Sequence, residues 1–214
     1  MAQLQLKVWL PRVLFESLLI VISILLALAL DEWQEDRELQ KLVDRSVISF
    51  EREITQNKRW LDDIAPYHLG LGNILMELEG RQDEAVIVEF RNIVDGVQPD
   101  VLLDSAWQTS LASGALTQMD YELISALSLT YGMQNRFRDL YNTGLSNLLY
   151  AKSQSRADLD SLVFAASRYL RSVSSAEMEL QVVYQQALEK IRDYRQQHGQ
   201  ELGADDDAAS PGAE

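Results

Sequence analysis

The sequence contains no cysteine and only two histidines, His68 and His198. The absence of cysteine excludes disulfide bonds, thiolate zinc sites and a cysteine nucleophile. Neither histidine belongs to a Glu-x-x-His motif, so the signature of a di-iron carboxylate bundle is missing. Glycine-rich phosphate loops and a G-x-S-x-G nucleophile motif are also missing. We therefore predict that the protein is not an enzyme and needs no cofactor or metal.

Basic residues are scarce relative to acidic ones. The 214-residue chain carries 19 Lys and Arg against 33 Asp and Glu, a formal net charge of −14. Nucleic-acid binding depends on Lys and Arg side chains that neutralise phosphates. We therefore predict no nucleic-acid partner. The length is sufficient for one domain and an anchor.

Helix breakers are also few, and none lies between Pro11 and Pro66. Within this interval, Val13–Leu30 carries a single charged residue, Glu16. This run of about 18 residues gives roughly 27 Å of helix, close to the hydrocarbon thickness of a bilayer. Trp9 and Trp33 bracket the run, as interfacial aromatic side chains often do. The pattern predicts a transmembrane helix.

A run of this kind has two alternatives to a membrane anchor. A buried helix of a soluble domain would show a regular polar stripe, which this apolar segment lacks. A cleaved signal peptide is favoured by the A-x-A sequence at Ala27–Ala29, but the residues that follow are strong helix formers. We therefore predict an uncleaved span. Because Lys7 and Arg12 precede it, the N-terminus is expected in the cytoplasm and the domain outside, in the periplasm of a Gram-negative cell.

The predicted organisation is all-α. Residues 1–12 form a short cytoplasmic N-terminus, 13–30 the span, and 31–199 a stalk helix followed by a four- to five-helix extramembrane bundle. The acidic tail, residues 200–214, is apolar-poor and is predicted to be disordered.

A seam of apolar residues follows the span at a spacing of three and four, with Asn57 as its polar position. Its apolar members are Val43, Val47, Phe50, Ile54, Leu61 and Ile64. One interpretation is that the seam packs on later helices of the same chain. The other is a parallel coiled-coil homo-oligomer through the stalk helix, in which Asn57 sets the register.

Turn-forming residues predict where the helices begin and end. Pro66, Gly70 and Gly72 predict a break after the stalk helix, which makes His68 a solvated turn histidine. A short helix over residues 73–79 is then expected, ending at Gly80.

Capping residues predict the later helices. The predicted helix starts lie at Asp83, Asp104, Asp120 and Ser174, the predicted ends lie at Gly96, Gly114 and Gly199, and residues 152–158 form a polar hinge. Ser174 and Glu177 match a capping box. Trp107 is expected to bury its ring beside the reversal between Gly114 and Asp120. The alternative is that this reversal is an exposed contact surface.

Two segments together resemble a family of small bacterial proteins of unknown function. They are FESLLIVISILLALALDEWQEDRE, with Glu16 and Trp33, and DSAWQTSLASGALTQMDYEL, with Trp107, Gly114 and Asp120. In that family an asparagine often precedes the tryptophan, where this chain has Asp31 and Glu32. The resemblance implies a single-pass, all-α protein and supplies no activity.

These observations favour a membrane-anchored interaction or scaffold protein whose partners are the bilayer and an unknown membrane or envelope protein. The main alternative is a ligand-sensing bundle. Because only about twelve residues precede the span, such a sensor is expected to signal through a separate chain. The candidate interaction or structural positions are Trp107, Gly114, Asp120, Phe50 and Asn57.

Overall fold

The computed structural model describes residues 3–81, 83, 85–97, 101–151 and 159–208. Side chains are described from residue 14 onward, apart from those of 148, 149, 151 and 199–208. The described chain is all-α. Its helices are α1 (Gln3–Leu78), α2 (Ala85–Gly96), α3 (Ser105–Ala112), a 3-10 turn (Ala115–Gln118), α4 (Tyr121–Ala151) and α5 (Leu159–Ala208).

The chain divides into two compact units, Met1–Arg45 and Ser46–Glu214. The first unit contains the apolar run, whose best window has a mean hydropathy of 2.3 and no buried residue. The one polar side chain in the middle of this run, Ser23, donates its hydroxyl hydrogen to the carbonyl of Leu19 at 2.8 Å. The described chain thus has one helix long and apolar enough to cross a membrane. The side chain of Trp9, a predicted interfacial anchor, is not among the described side chains. The same holds for Lys7 and Arg12, on which the predicted orientation depends.

The second unit is a bundle whose core contains the predicted seam from Val47 onward. Phe50 and Ile54 are fully buried, and the polar seam position, Asn57, is 1% exposed. The side-chain NH2 of Asn57 donates to the backbone carbonyl of Leu103, and the side-chain oxygen of Asn57 accepts the N–H of the same residue. Leu103 lies later in the same chain. The interpretation that the seam packs on the chain's own later helices is confirmed. A dimer through the same seam would require these side chains to exchange partners.

Helix α1 continues through the segment predicted to be a break. Pro66 and Gly70 lie inside the helix, which ends at Leu78 and is followed by Gly80 in the left-handed region at φ +79°. Proline in a helix interior costs about 3 kcal/mol. The buried side chains on either side of Pro66 keep their helical spacing from Leu61 to Leu75. Burial of that face therefore outweighs the local preference for a break.

Helix α5 is also longer than predicted at both ends. Ser174 and Glu177 are buried in its interior, so the predicted capping box is wrong. The buried positions from Val163 to Tyr184 keep a spacing of three and four through Glu177, which favours one helix. The predicted end at Gly199 is wrong, because the helix reaches Ala208.

Two predicted segments are only partly described or not described. Residues 200–208 of the predicted disordered tail belong to helix α5. Residues 209–214 and the predicted hinge at 152–158 lie outside the described residues.

The other predicted helix starts are correct in position. The Asp83 carboxylate accepts the backbone N–H of Ala85 at 3.1 Å. The Asp120 carboxylate accepts those of Glu122 at 2.8 Å and Leu123 at 3.3 Å. Asp104 precedes α3, but its side chain makes no capping bond, and the prediction that it caps this helix is wrong.

Gly114 occupies the left-handed region at φ +77°, with nothing near the position of a side chain. Gly114→Ala should therefore destabilise the protein by at least about 1 kcal/mol through backbone strain alone. Gly132 lies inside α4, also in open space but without a positive φ. As the matched control, Gly132→Ala should stabilise by about 0.5–1 kcal/mol. Chemical denaturation of the full chain in detergent measures both; equal effects at the two positions would contradict the assignment.

Candidate functional site

A buried polar network joins helices α1, α4 and α5. His68 Nδ1 lies 2.6 Å from Glu177 Oε1, and both side chains are fully buried. On the other side of the imidazole ring, Nε2 lies 3.3 Å from the hydroxyl of Tyr141. The prediction that His68 is a solvated turn histidine is therefore wrong, because the helix carries it into the core.

The network is not fully satisfied. The second carboxylate oxygen of Glu177 has no hydrogen-bond partner among the described residues, and the hydroxyls of Ser167 and Ser174 on the same helix have none either. A buried polar group without a partner costs about 1–3 kcal/mol. The arrangement is therefore not optimised for stability alone, and it holds an imidazole and a carboxyl group away from water.

Tyr169 extends the network toward the surface. Its hydroxyl donates to the backbone carbonyl of Tyr141 at 2.8 Å. Burial raises the pKa of Tyr169, and the nearby negative charge of Glu177 raises it further. Tyr169 therefore remains a hydrogen-bond donor at neutral pH. The ring of Tyr169 packs directly on Gly144 and occupies the space that the Cβ of any larger residue at position 144 would need.

The same tyrosine lines a cavity of about 560 Å³ between α4 and α5. Leu140, Leu162 and Ala165 supply apolar walls, and Asp139 adds a carboxylate. Small-molecule sites are typically 300–1,000 Å³ with mostly apolar walls and a few polar groups. The cavity therefore has the size of a small-molecule site, and it is open to solvent along α4, where Asp139, Thr143 and Asn147 are exposed. A smaller cleft of about 280 Å³ lies elsewhere between the same helices and includes Asp193.

A second buried carboxylate, Glu53, fixes the start of helix α3. One of its oxygens accepts the Tyr131 hydroxyl at 2.7 Å. The other accepts the Ser105 hydroxyl at 2.5 Å and the Ala106 N–H at 2.9 Å. Glu53 thus performs the capping role that the sequence assigned to Asp104. Burial, followed by the hydrogen bond to Glu53, raises the pKa of Tyr131.

Trp107 packs on this assembly. Its ring stacks on Tyr131 with centroids 5.3 Å apart and lies 6.4 Å from Phe50. The ring thus packs on the bundle as the structural interpretation predicts, but the side chain is half-buried rather than fully buried.

The residues leading into α3 and through the reversal form what we name the 101–121 segment. The side-chain oxygen of Asn57 accepts a hydrogen bond from the Leu103 N–H at 2.8 Å, and its side-chain NH2 donates one to the Leu103 carbonyl at 2.7 Å. Gln134 also donates to that carbonyl, at 2.8 Å. The backbone at Leu103 is therefore fixed, while the segment exposes apolar side chains. These are Val101 (56% exposed), Leu103 (39%), Leu111 (59%) and Tyr121 (82%).

The predicted positions fall around this segment rather than at the His68 network. Phe50 and Trp107 share one aromatic cluster, Asn57 holds Leu103, and Gly114 and Asp120 flank the 3-10 turn.

Sequence reasoning missed the network residues, although one signal was present. Counting back from the apolar seam of Leu180 and Tyr184 at a spacing of three and four places Glu177 on the buried face. Within the described residues, no group of three or more His, Cys, Asp or Glu side chains is arranged to hold a metal ion.

Comparison with known proteins adds no family. No family model, curated protein or solved structure matches the chain. The resemblance noted in the sequence stays a prediction. The fold and site define the class: a helical protein with one apolar helix able to cross a membrane and a bundle containing a buried polar network.

Proposed function

We propose that this protein is a membrane-anchored interaction protein, with its N-terminus in the cytoplasm and its bundle outside the cytoplasmic membrane. The exposed apolar side chains from Leu14 to Leu30, none of which is buried in the described chain, support insertion in a bilayer. The positions of Lys7 and Arg12 before this run support the orientation.

The observation that carries the interaction role is the 101–121 segment. Leu111 and Tyr121 are exposed to solvent. Asn57 and Glu53 hold the backbone at the start of the segment, and the Asp120 carboxylate caps the helix that begins at Tyr121. Exposed apolar side chains on a rigid support bind at a low entropic cost, because little is ordered on association. Tyrosine is also enriched at protein interfaces.

The proposed partner is a membrane or envelope protein with an apolar patch. The net charge of −14 disfavours nucleic acid, and the proposed role requires no catalysis. A second copy of the chain is the alternative partner.

Site-specific photo-crosslinking in native membranes tests the interaction. A photoreactive residue at Leu111 or Tyr121 should give one discrete adduct, which mass spectrometry identifies. Val182 on α5, 56% exposed, is the control position and should give none. Equal labelling from all three positions, or no adduct from Leu111 and Tyr121, would overturn the assignment. An adduct at twice the chain's mass would identify the partner as a second copy.

The cavity favours a second candidate function, ligand sensing through a separate partner chain. Tyr169 lines the cavity, and its hydroxyl donates to the backbone carbonyl of Tyr141. The side-chain hydroxyl of Tyr141 lies 3.3 Å from His68 Nε2. Occupancy of the cavity therefore has a short physical route to the buried pair.

A further inference from the structure

We propose that the cavity between α4 and α5 binds a small organic cation, an amine attached to an aromatic or branched apolar body. The inference rests on the second candidate function and is independent of the first.

The shape of the cavity calls for a compact guest. Its volume of about 560 Å³ accommodates a bicyclic ring system but not a helix of another chain. Leu140, Leu162 and the Tyr169 ring form apolar walls against which a flat hydrocarbon surface would be removed from water. The Tyr169 ring can occupy this position only because residue 144 is glycine, since any larger residue there would collide with the ring.

The charge of the cavity calls for a cation. Asp139 lines the cavity and forms no ion pair with any described residue. Among the described residues that line the cavity there is no lysine, arginine or histidine. An ammonium group placed against the Asp139 carboxylate would make a charge-assisted hydrogen bond. Thr143 and Asn147 offer further oxygen acceptors along the same helix. The net charge of −14 raises the local concentration of small cations.

Three indole compounds of similar size separate the contribution of the apolar walls from that of the Asp139 charge. Tryptamine carries an ammonium group, tryptophol a neutral hydroxyl and indole-3-acetate a carboxylate. Calorimetry on the full chain in lipid nanodiscs should show tryptamine binding most tightly, tryptophol several-fold more weakly and indole-3-acetate not at all. Equal binding of all three would overturn the proposal in favour of a purely apolar pocket, and no tryptamine binding at millimolar concentration would overturn it altogether.

Variants place the binding in this cavity. Asp139→Asn is an exposed substitution that should weaken tryptamine about two- to fivefold and leave tryptophol unchanged. Ala165→Trp fills the cavity and should abolish binding of both. Asp193→Asn changes a carboxylate in the smaller cleft between the same helices and should have no effect. A loss with Asp193→Asn equal to that with Asp139→Asn would show nonspecific attraction and overturn the site.

A spectroscopic readout separates the site from the sensing function. The chain has two histidines, and only His68 belongs to the network, while His198 stacks on Tyr194. Tryptamine should shift the imidazole NMR signal of His68 and leave that of His198 in place. Tight binding with an unmoved His68 signal would contradict ligand sensing through the network while supporting the site. The crosslinking result at Leu111 and Tyr121 is unaffected by either outcome.

Discussion

Replacing His68 with leucine should lower the free energy of unfolding by about 3–5 kcal/mol. The substitution leaves the Glu177 carboxylate fully buried with neither of its oxygens bonded to the imidazole. Among the described residues, the second oxygen of Glu177 has no partner, so His68 is the main compensation for the lost hydration of this carboxylate. Chemical denaturation of the full chain in detergent measures the loss.

The double variant His68→Leu/Glu177→Met provides the decisive comparison. Apolar residues that replace a whole buried ion pair are often neutral or stabilising. The double variant should therefore be more stable than His68→Leu, with a coupling energy of about 2 kcal/mol. Lys58→Ala breaks the partly exposed pair with Asp62 and should cost no more than about 1 kcal/mol. Additive effects of His68→Leu and Glu177→Met would show that the two side chains do not interact.

The second large effect is expected at Phe50, which is fully buried against Trp107 and Tyr131. Phe50→Ala removes a ring from the centre of the aromatic cluster and leaves a cavity, at a cost of about 3–5 kcal/mol. Ile48 lies two positions earlier on the same helix and is 45% exposed. As the control, Ile48→Ala should cost less than about 1 kcal/mol.

Denaturant unfolding monitored by circular dichroism checks both residues. Similar losses for Phe50→Ala and Ile48→Ala would mean that the seam does not face the core of the bundle.

The seam could be predicted because it depends on local periodicity. Phe50, Ile54 and Asn57 repeat at the spacing of one helix face, and that face is buried regardless of which helix covers it. The caps at Asp83 and Asp120 were predicted for the same reason, since each involves residues only a few positions away.

The errors arose where packing overrides local preference or where partners are distant in the chain. Pro66 predicts a break, yet the buried faces on both sides of it favour one continuous helix. Glu177 matches a capping box, but its partner is His68, 109 positions away. A local sequence pattern covers only a few neighbouring residues, so it cannot predict a contact over this separation. Glu53 was missed likewise, because it caps a helix that begins 52 positions later.

The proposed orientation of the apolar helix in the membrane is tested most directly by labelling single cysteines. The chain has no cysteine of its own, so each introduced thiol reports one position. Thr109 is exposed on α3, and Gln5 precedes the apolar run. In intact spheroplasts, a membrane-impermeant maleimide should label Thr109→Cys at once and Gln5→Cys only after lysis. Labelling of Gln5→Cys in intact spheroplasts, with Thr109→Cys protected until lysis, would contradict a bundle outside the cytoplasmic membrane.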